Sequence, residues 1–234
     1  MSLHGRLIVK NIRVLNKMSV VSKISSWFRP YRNRKRQKYF LKKHGAVKDS
    51  YKILSSNCIG GMCYHDANLE FLTPTINCSI KDFLTFCLFV DKYILFDLVE
   101  DTNNNEKYPI GILVGKDGLP SIKINFVHYS NFKEAKEKWL ARSARMVSRE
   151  GKVCIIYCTS NLSQKQVEEF LQIQAYKKVC FYKTTSVSLP DHPSSKFVHV
   201  PLKYQKTDYS NYTGLFSRKR YYDYFFDINS YFFD

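Results

Sequence analysis

The chain has 234 residues, 44% of them hydrophobic and 15% aromatic, and a formal net charge of +17. That content can fill a core, which excludes global disorder, and no run of about eighteen apolar residues exists to form a spanning helix. The charge is concentrated: residues 1–48 hold 14 Lys and Arg and no acid, so residues 49–234 hold 37 − 14 = 23 basic and 20 acidic residues, a net of +3.

The sequence therefore divides into a basic N-terminal extension (1–48), an α/β catalytic-type domain (49–203) and an aromatic C-terminal segment (204–234) expected to pack on that domain. Residues 1–20 scatter Arg6, Lys10, Arg13 and Lys17 among apolar positions and form no clean secretory signal. Residues 23–48 interleave Trp27, Phe28, Tyr31, Tyr39, Phe40 and Leu41 with ten Lys and Arg. This fits a solvated basic helix or contact with an anionic membrane surface; no RNA- or DNA-binding motif follows, which disfavours nucleic acid. Seven cysteines, an odd number with several inside apolar runs, read as reduced thiols of a cytoplasmic protein.

In chain order, KILSS (52–56) predicts a strand that leads into a turn at Asn57. Ser79 with Asp82 predicts a helix start, followed by apolar residues at helical spacing through DFLTFCLFVDKYIL. Asn103–Asn105 and Pro109 mark a loop. Residues 110–129 predict two strands joined at Asp117-Gly118. Asn131 with Glu134 caps a helix to about Arg149; KVCIIYC (152–158) is a buried strand; Ser163 with Gln166 opens a helix to Gln172; KVCFYK and FVHVPL are the last strands. Strands alternating with helices imply an α/β fold: a mixed sheet with helices on both faces, three layers in all, plus the basic helical extension. The segment 204–234 holds 12 aromatic residues and is too apolar to be free.

Two segments carry the candidate chemistry. In SSNCIGGMCYH (55–65), Cys58 follows a strand and precedes Gly60-Gly61. A thiol near a helix start is expected to have a lowered pKa and an exposed sulfur, and glycines allow close approach of backbone to a ligand. The same residues also fit a buried thiol beside a glycine turn. In the second segment, 124–146, His128 ends a strand just before a helix, where α/β sheets place functional groups, and can act as general base. Next to it stands Tyr129. Along the helix Lys138, Arg142, Arg145 and Arg149 recur at steps of four, three and four, a basic face suited either to a phosphate or to solvent. Cys58, Cys63, His65 and His128 lack metal-ligand spacing, so no metal is expected, and no cofactor motif is present.

Taken in order, SSNCIGGMCY, LTPTIN, DFLTFC, YPIG, FVHYSNFKEAKEKWLARSARM and KKVCFY resemble a bacterial domain-of-unknown-function family often labelled exopolysaccharide biosynthesis protein. The likeness covers residues 23–232; Ser56 and Asn131 depart from its usual Asn and Ser. It implies a role in capsule, exopolysaccharide or lipopolysaccharide biosynthesis. A looser likeness to papain-like cysteine peptidases rests on an early Cys, a strand-terminal His and an Arg-rich helix.

Three functions are expected in turn. The first is a cytoplasmic transferase, peripheral to the inner membrane face, that acts on a sugar or lipid-linked glycan with an activated sugar or acyl donor as co-substrate. In it Cys58 and His128 are catalytic, while Asn57, Gly60, Gly61, Tyr129, Lys138, Arg142 and Arg145 bind an anionic sugar-nucleotide or lipid-phosphate substrate. The second is a Cys-His hydrolase or acyltransferase that needs the thiol itself. The third is a non-enzymatic partner of the polysaccharide machinery. The distance between Cys58 and His128, 70 residues apart, is what separates a credible dyad from a coincidence.

Overall fold

The structure is a computed structural model that describes residues 27–208 and 210–234. The reading of residues 1–20 as lacking a signal lies outside the described residues. Among the described residues, eight strands and seven α-helices make an α/β fold. Four strands form a parallel sheet in the order β1-β6-β7-β8: β1 Tyr51–Ser55, β6 Lys152–Leu162, β7 Lys177–Thr185 and β8 Ser195–His199. The other four form an antiparallel sheet in the order β2-β5-β4-β3: β2 Ser79–Ile80, β3 Leu98–Glu100, β4 Ile110–Leu113 and β5 Ile122–Asn125. The α/β class holds. Both strand directions are present, divided between two sheets where one mixed sheet was expected, because the long crossovers needed for parallel pairing occur only around β1 and β6–β8.

Alternate residues of the parallel strands feed opposite cores. On one face, Leu54, Ile155, Tyr157 and Cys180 join residues of the antiparallel sheet and of α3 (Phe83–Leu88), α5 (Phe132–Ser148) and α6 (Gln164–Gln172). On the other, Ile53, Cys154, Ile156, Val179 and Phe181 meet α2 (Ile59–Ala67) and the C-terminal residues Tyr222, Ile228 and Phe232, the last two from α7 (Ile228–Phe233). The parallel sheet is thus the middle of three layers, and the aromatic C-terminal segment is part of the core.

The local signals mostly act as expected. Asn131 accepts a bond from the Glu134 amide at 2.9 Å, and Ser163 with Gln166 forms a reciprocal capping box. Asp117 and Gly118 both take positive φ, 55° and 79°, as the tight β4–β5 hairpin requires. Two expectations are corrected. Ser79 does not open a helix; it lies in β2, and α3 begins at Phe83. The apolar run then breaks at Phe89 (φ −123°), leaving a second short helix, α4 (Val90–Tyr93). Helix α1 (Arg29–His44), read from sequence as part of an extension, packs into the globule: Arg32, Arg36 and Phe40 are buried. No helix among the described residues is long and apolar enough to cross a membrane.

Candidate active site

Strand β1 is an edge strand, so its outer backbone groups need partners other than a neighbouring strand. Side chains supply them. The Tyr64 hydroxyl accepts from the Ile53 amide and donates to the Tyr51 carbonyl, both at 2.9 Å. Thr73 donates to the Ile53 carbonyl at 2.6 Å, and Thr75 accepts from the Ser55 amide at 3.1 Å. The Thr-Pro-Thr motif is therefore a brace along β1. Its next residue, Ile76, presents a carbonyl that accepts from Arg142 (3.3 Å) and from the Tyr129 hydroxyl (3.3 Å), while Arg142 also donates to that hydroxyl at 2.7 Å. One segment thus ties the strand before Cys58 to the loop that carries His128.

Beyond Ser55 the chain turns sharply into α2. The Asn57 carboxamide oxygen accepts from the Ile59 amide at 3.0 Å and from Ser55 Oγ at 3.1 Å, and its Nδ2 donates to Cys158 Sγ at 3.1 Å. Ser56 Oγ accepts from the Cys158 amide at 2.9 Å. These bonds fix Cys58 as the residue that enters α2. Gly60 and Gly61 lie in the helix and do not form a turn. Gly60 is required by packing: a Cβ there would stand 2.6 Å from Ser55 Cβ. Gly61 meets only ordinary contact with Ile76. Both amides belong to the first helical turn, whose N–H groups have no intrahelical acceptor and point back towards Cys58.

The turn after β5 brings His128 to this point, and Cys58 Sγ lies 3.1 Å from His128 Nε2. His128 is exposed and Cys58 half-buried. The thiol pKa is not lowered. Burial raises it, and the nearby Asp208 carboxylate raises it further. The sulfur lies within hydrogen-bond distance of an imidazole nitrogen. None of the seven cysteines forms a disulfide; Cys58 and Cys158 are half-buried and the other five buried.

The expected anion-binding face does not assemble. Arg142 is only 7% exposed and is spent on Tyr129 and Ile76. It continues the stripe Ala135, Trp139, Arg142, Met146, each buried, and so faces inward. Arg145 and Arg149 both pair with Glu70, at 2.6 and 2.5 Å. Lys138 is exposed on the same helix. Tyr129, expected to touch substrate, is buried under Arg142 and positions its neighbour His128. Cys63 is fully buried, and among the described residues no three His, Cys, Asp or Glu side chains converge on a metal site. Asp208, Thr73, Thr75 and Cys158 also belong to the surroundings of Cys58. Only the Thr-Pro-Thr motif carried a signal, as one of the family elements. A cavity of about 310 Å³ lies elsewhere, lined by Leu54, Val90, Ile94, Met146 and Ile155 among others.

Comparison with known proteins follows the same outline. An uncharacterized protein of Haemophilus influenzae is 27% identical over 197 residues, covering 82% of this chain and 90% of its own. The family model described as Domain of unknown function (DUF1919) matches residues 29–232, from the first turn of α1 to the last helix, and spans both the Cys58 and the His128 segments. The chain belongs to the DUF1919 family.

Proposed function

We propose that the protein is a thiol-dependent acyl-transfer enzyme, a hydrolase or acyltransferase, with Cys58 as nucleophile and His128 as general base. The observation that carries this is the 3.1 Å contact between Cys58 Sγ and His128 Nε2 at the entry of α2. The mechanism follows from the resting state. Nε2 takes the thiol proton as sulfur attacks an acyl carbon, so the S–C bond forms while the proton moves to the imidazole. First-turn amides of α2, including those of Gly60 and Gly61, face the developing oxyanion. The imidazolium then protonates the leaving group, the bond to it breaks, and a thioester on Cys58 remains. Water or a hydroxyl acceptor, deprotonated by the same Nε2, attacks the thioester and releases the thiol.

A transferase of cell-surface polysaccharide fits within this reading if the acceptor is a sugar hydroxyl. That acceptor, and the inner membrane face as its place, rest on family resemblance. Arg142 and Arg145 are engaged within the protein and supply no anionic donor grip in this reading.

The test uses an activated ester, p-nitrophenyl acetate, with the full chain. An acetyl group on Cys58, seen by mass spectrometry after rapid quenching and absent in Cys58→Ser and His128→Ala, is the expected result. Acetylation that ignores His128, or that falls on exposed lysines alone, overturns the proposal.

A further inference from the structure

Helix α1 has two faces of different character. Arg32, Arg36 and Phe40 point into the protein. On the opposite side Tyr31, Arg34, Lys35, Lys38, Leu41 and Lys42 share one arc of about 120° at 100° per residue, and Trp27 stands just before the helix. Every one of them is exposed, Trp27 to 83%, Leu41 to 57% and Tyr31 to 46%. The helix contains no acidic residue. Beside it Phe216, 60% exposed, packs edge-on against Phe28 with ring centroids 5.0 Å apart, which widens the apolar part of the surface.

We propose that this face of α1 lies flat on an anionic bilayer. Four cations meet lipid headgroups while Trp27, Leu41 and Phe216 enter the headgroup–acyl boundary. Trp27 just before the helix and Leu41 in its last turn stand towards opposite ends, so apolar anchors bracket the cations. That arrangement suits a plane. A nucleic-acid surface uses cations and flat rings for stacking, yet Leu41 can neither stack nor donate, and the ring of Tyr31 is covered by its own Lys35 at 5.0 Å. The inward arginines are occupied elsewhere: Arg36 by Asp66 and Asp223, Arg32 over the Tyr212 ring at 4.8 Å. The structure thus separates the basic residues that hold the fold from those that face outward, a division the sequence pattern alone does not contain.

The protein carries its own reporter. It has two tryptophans, and Trp139 is 1% exposed. In a full-length Trp139→Phe chain, Trp27 is the sole tryptophan. Its emission should shift to shorter wavelength with phosphatidylcholine vesicles containing phosphatidylserine and be quenched by brominated acyl chains. Pure phosphatidylcholine should produce no shift, and high salt should reverse it. Replacing Arg34, Lys35, Lys38 and Lys42 by Ser should weaken vesicle binding about a hundredfold or more, at about fivefold per residue. Replacing the exposed Lys107, Lys133, Lys165 and Lys206 by Ser removes the same charge elsewhere and should change binding little. In the event that Trp139→Phe fails to fold, co-sedimentation of the wild-type chain gives the same comparison. Equal weakening by both sets, no dependence on phosphatidylserine, or tight binding to duplex DNA or RNA with none to vesicles each overturns the proposal. Cys58 and His128 play no part in it, so their variants should bind vesicles normally.

Discussion

Helix α2 has a polar cluster at each end, and the two are built differently. Near its C-terminal end, Asp66 is 2% exposed and receives Arg36, Arg220 at 3.6 Å and the Asn229 amide at 3.1 Å. Arg36 in turn donates to Asp223, to the Tyr222 hydroxyl and to the Arg218 carbonyl. These charges are enclosed and answered on nearly every side, and they clamp α1 and the C-terminal segment onto α2. At the N-terminal end Cys58 and His128 have one another and open solvent. A polar group whose bonds are all taken by the protein holds structure. One held in place through its backbone neighbours, with its reactive atom open, is available for chemistry. Asn57, Ser56 and Tyr129 do the holding for this pair, which leaves sulfur and imidazole uncommitted.

Loss of a catalytic group should have the largest effect and should leave the other end untouched. His128→Ala should lower thiol-dependent ester turnover by about 10²–10⁴-fold. Being exposed, the residue should leave the melting temperature within about 2 °C, a shift of under roughly 0.5 kcal/mol. A fall in activity matched by a fall in melting temperature would make His128 structural, like Asp66. The opposite substitution sharpens the contrast. Asp66→Ala leaves Arg36 buried with one of its two carboxylate partners, which should cost about 3–5 kcal/mol of stability, measured by urea unfolding. Alkylation of Cys58 in the folded fraction should be unchanged.

Arg142 lies between these classes. It is buried, as a structural arginine is, yet it acts on the residue next to His128. Arg142→Met should cost about 1–3 kcal/mol by removing the buried donor shared by the Tyr129 hydroxyl and the Ile76 carbonyl. It should also lower ester turnover about tenfold by freeing the His128 loop. Arg142→Lys should restore part of both, whereas an anion-binding role would appear as a raised KM with kcat intact.

Arg142 also marks where sequence reading runs out. Steps of four, three and four placed it on a basic face, and those steps are real. The stripe Ala135, Trp139, Arg142, Met146 passes through the same residue at steps of four, three and four, and only packing decides which stripe it joins. The Cys58 and His128 segments were legible because each carries its own local cue: a strand end before a helix, with capping residues close by. Their meeting was not, because it depends on the Thr73–Ile76 brace and on a division into two sheets that no local periodicity encodes. The thiol's pKa was misjudged for a similar reason. A helix start lowers it in isolation, but burial and Asp208, 150 residues away in sequence, push it upward.

Asp208 is therefore the finest lever on the open end of α2. Its carboxylate is engaged with Ser210 and Asn211, accepting from the Ser210 amide at 3.1 Å, and it faces the thiol only through space. Asp208→Asn keeps an acceptor for Ser210 and removes the negative charge. Of the two causes that raise the Cys58 pKa, burial, the larger, remains and the carboxylate is lost, so the pKa should fall. At any pH below the thiol pKa a lower value means more thiolate, hence faster alkylation by iodoacetamide at pH 8 and low salt. The gain should shrink at high pH, where both proteins are ionised, and in concentrated salt, which screens the carboxylate. Under native conditions only Cys58 and Cys158 should label, since the other five sulfurs are buried. The change should be confined to Cys58, because a general loosening of the C-terminal segment would speed Cys158 as well. Slower alkylation of Cys58 in Asp208→Asn would mean that the carboxylate assists the thiol and would overturn this reading.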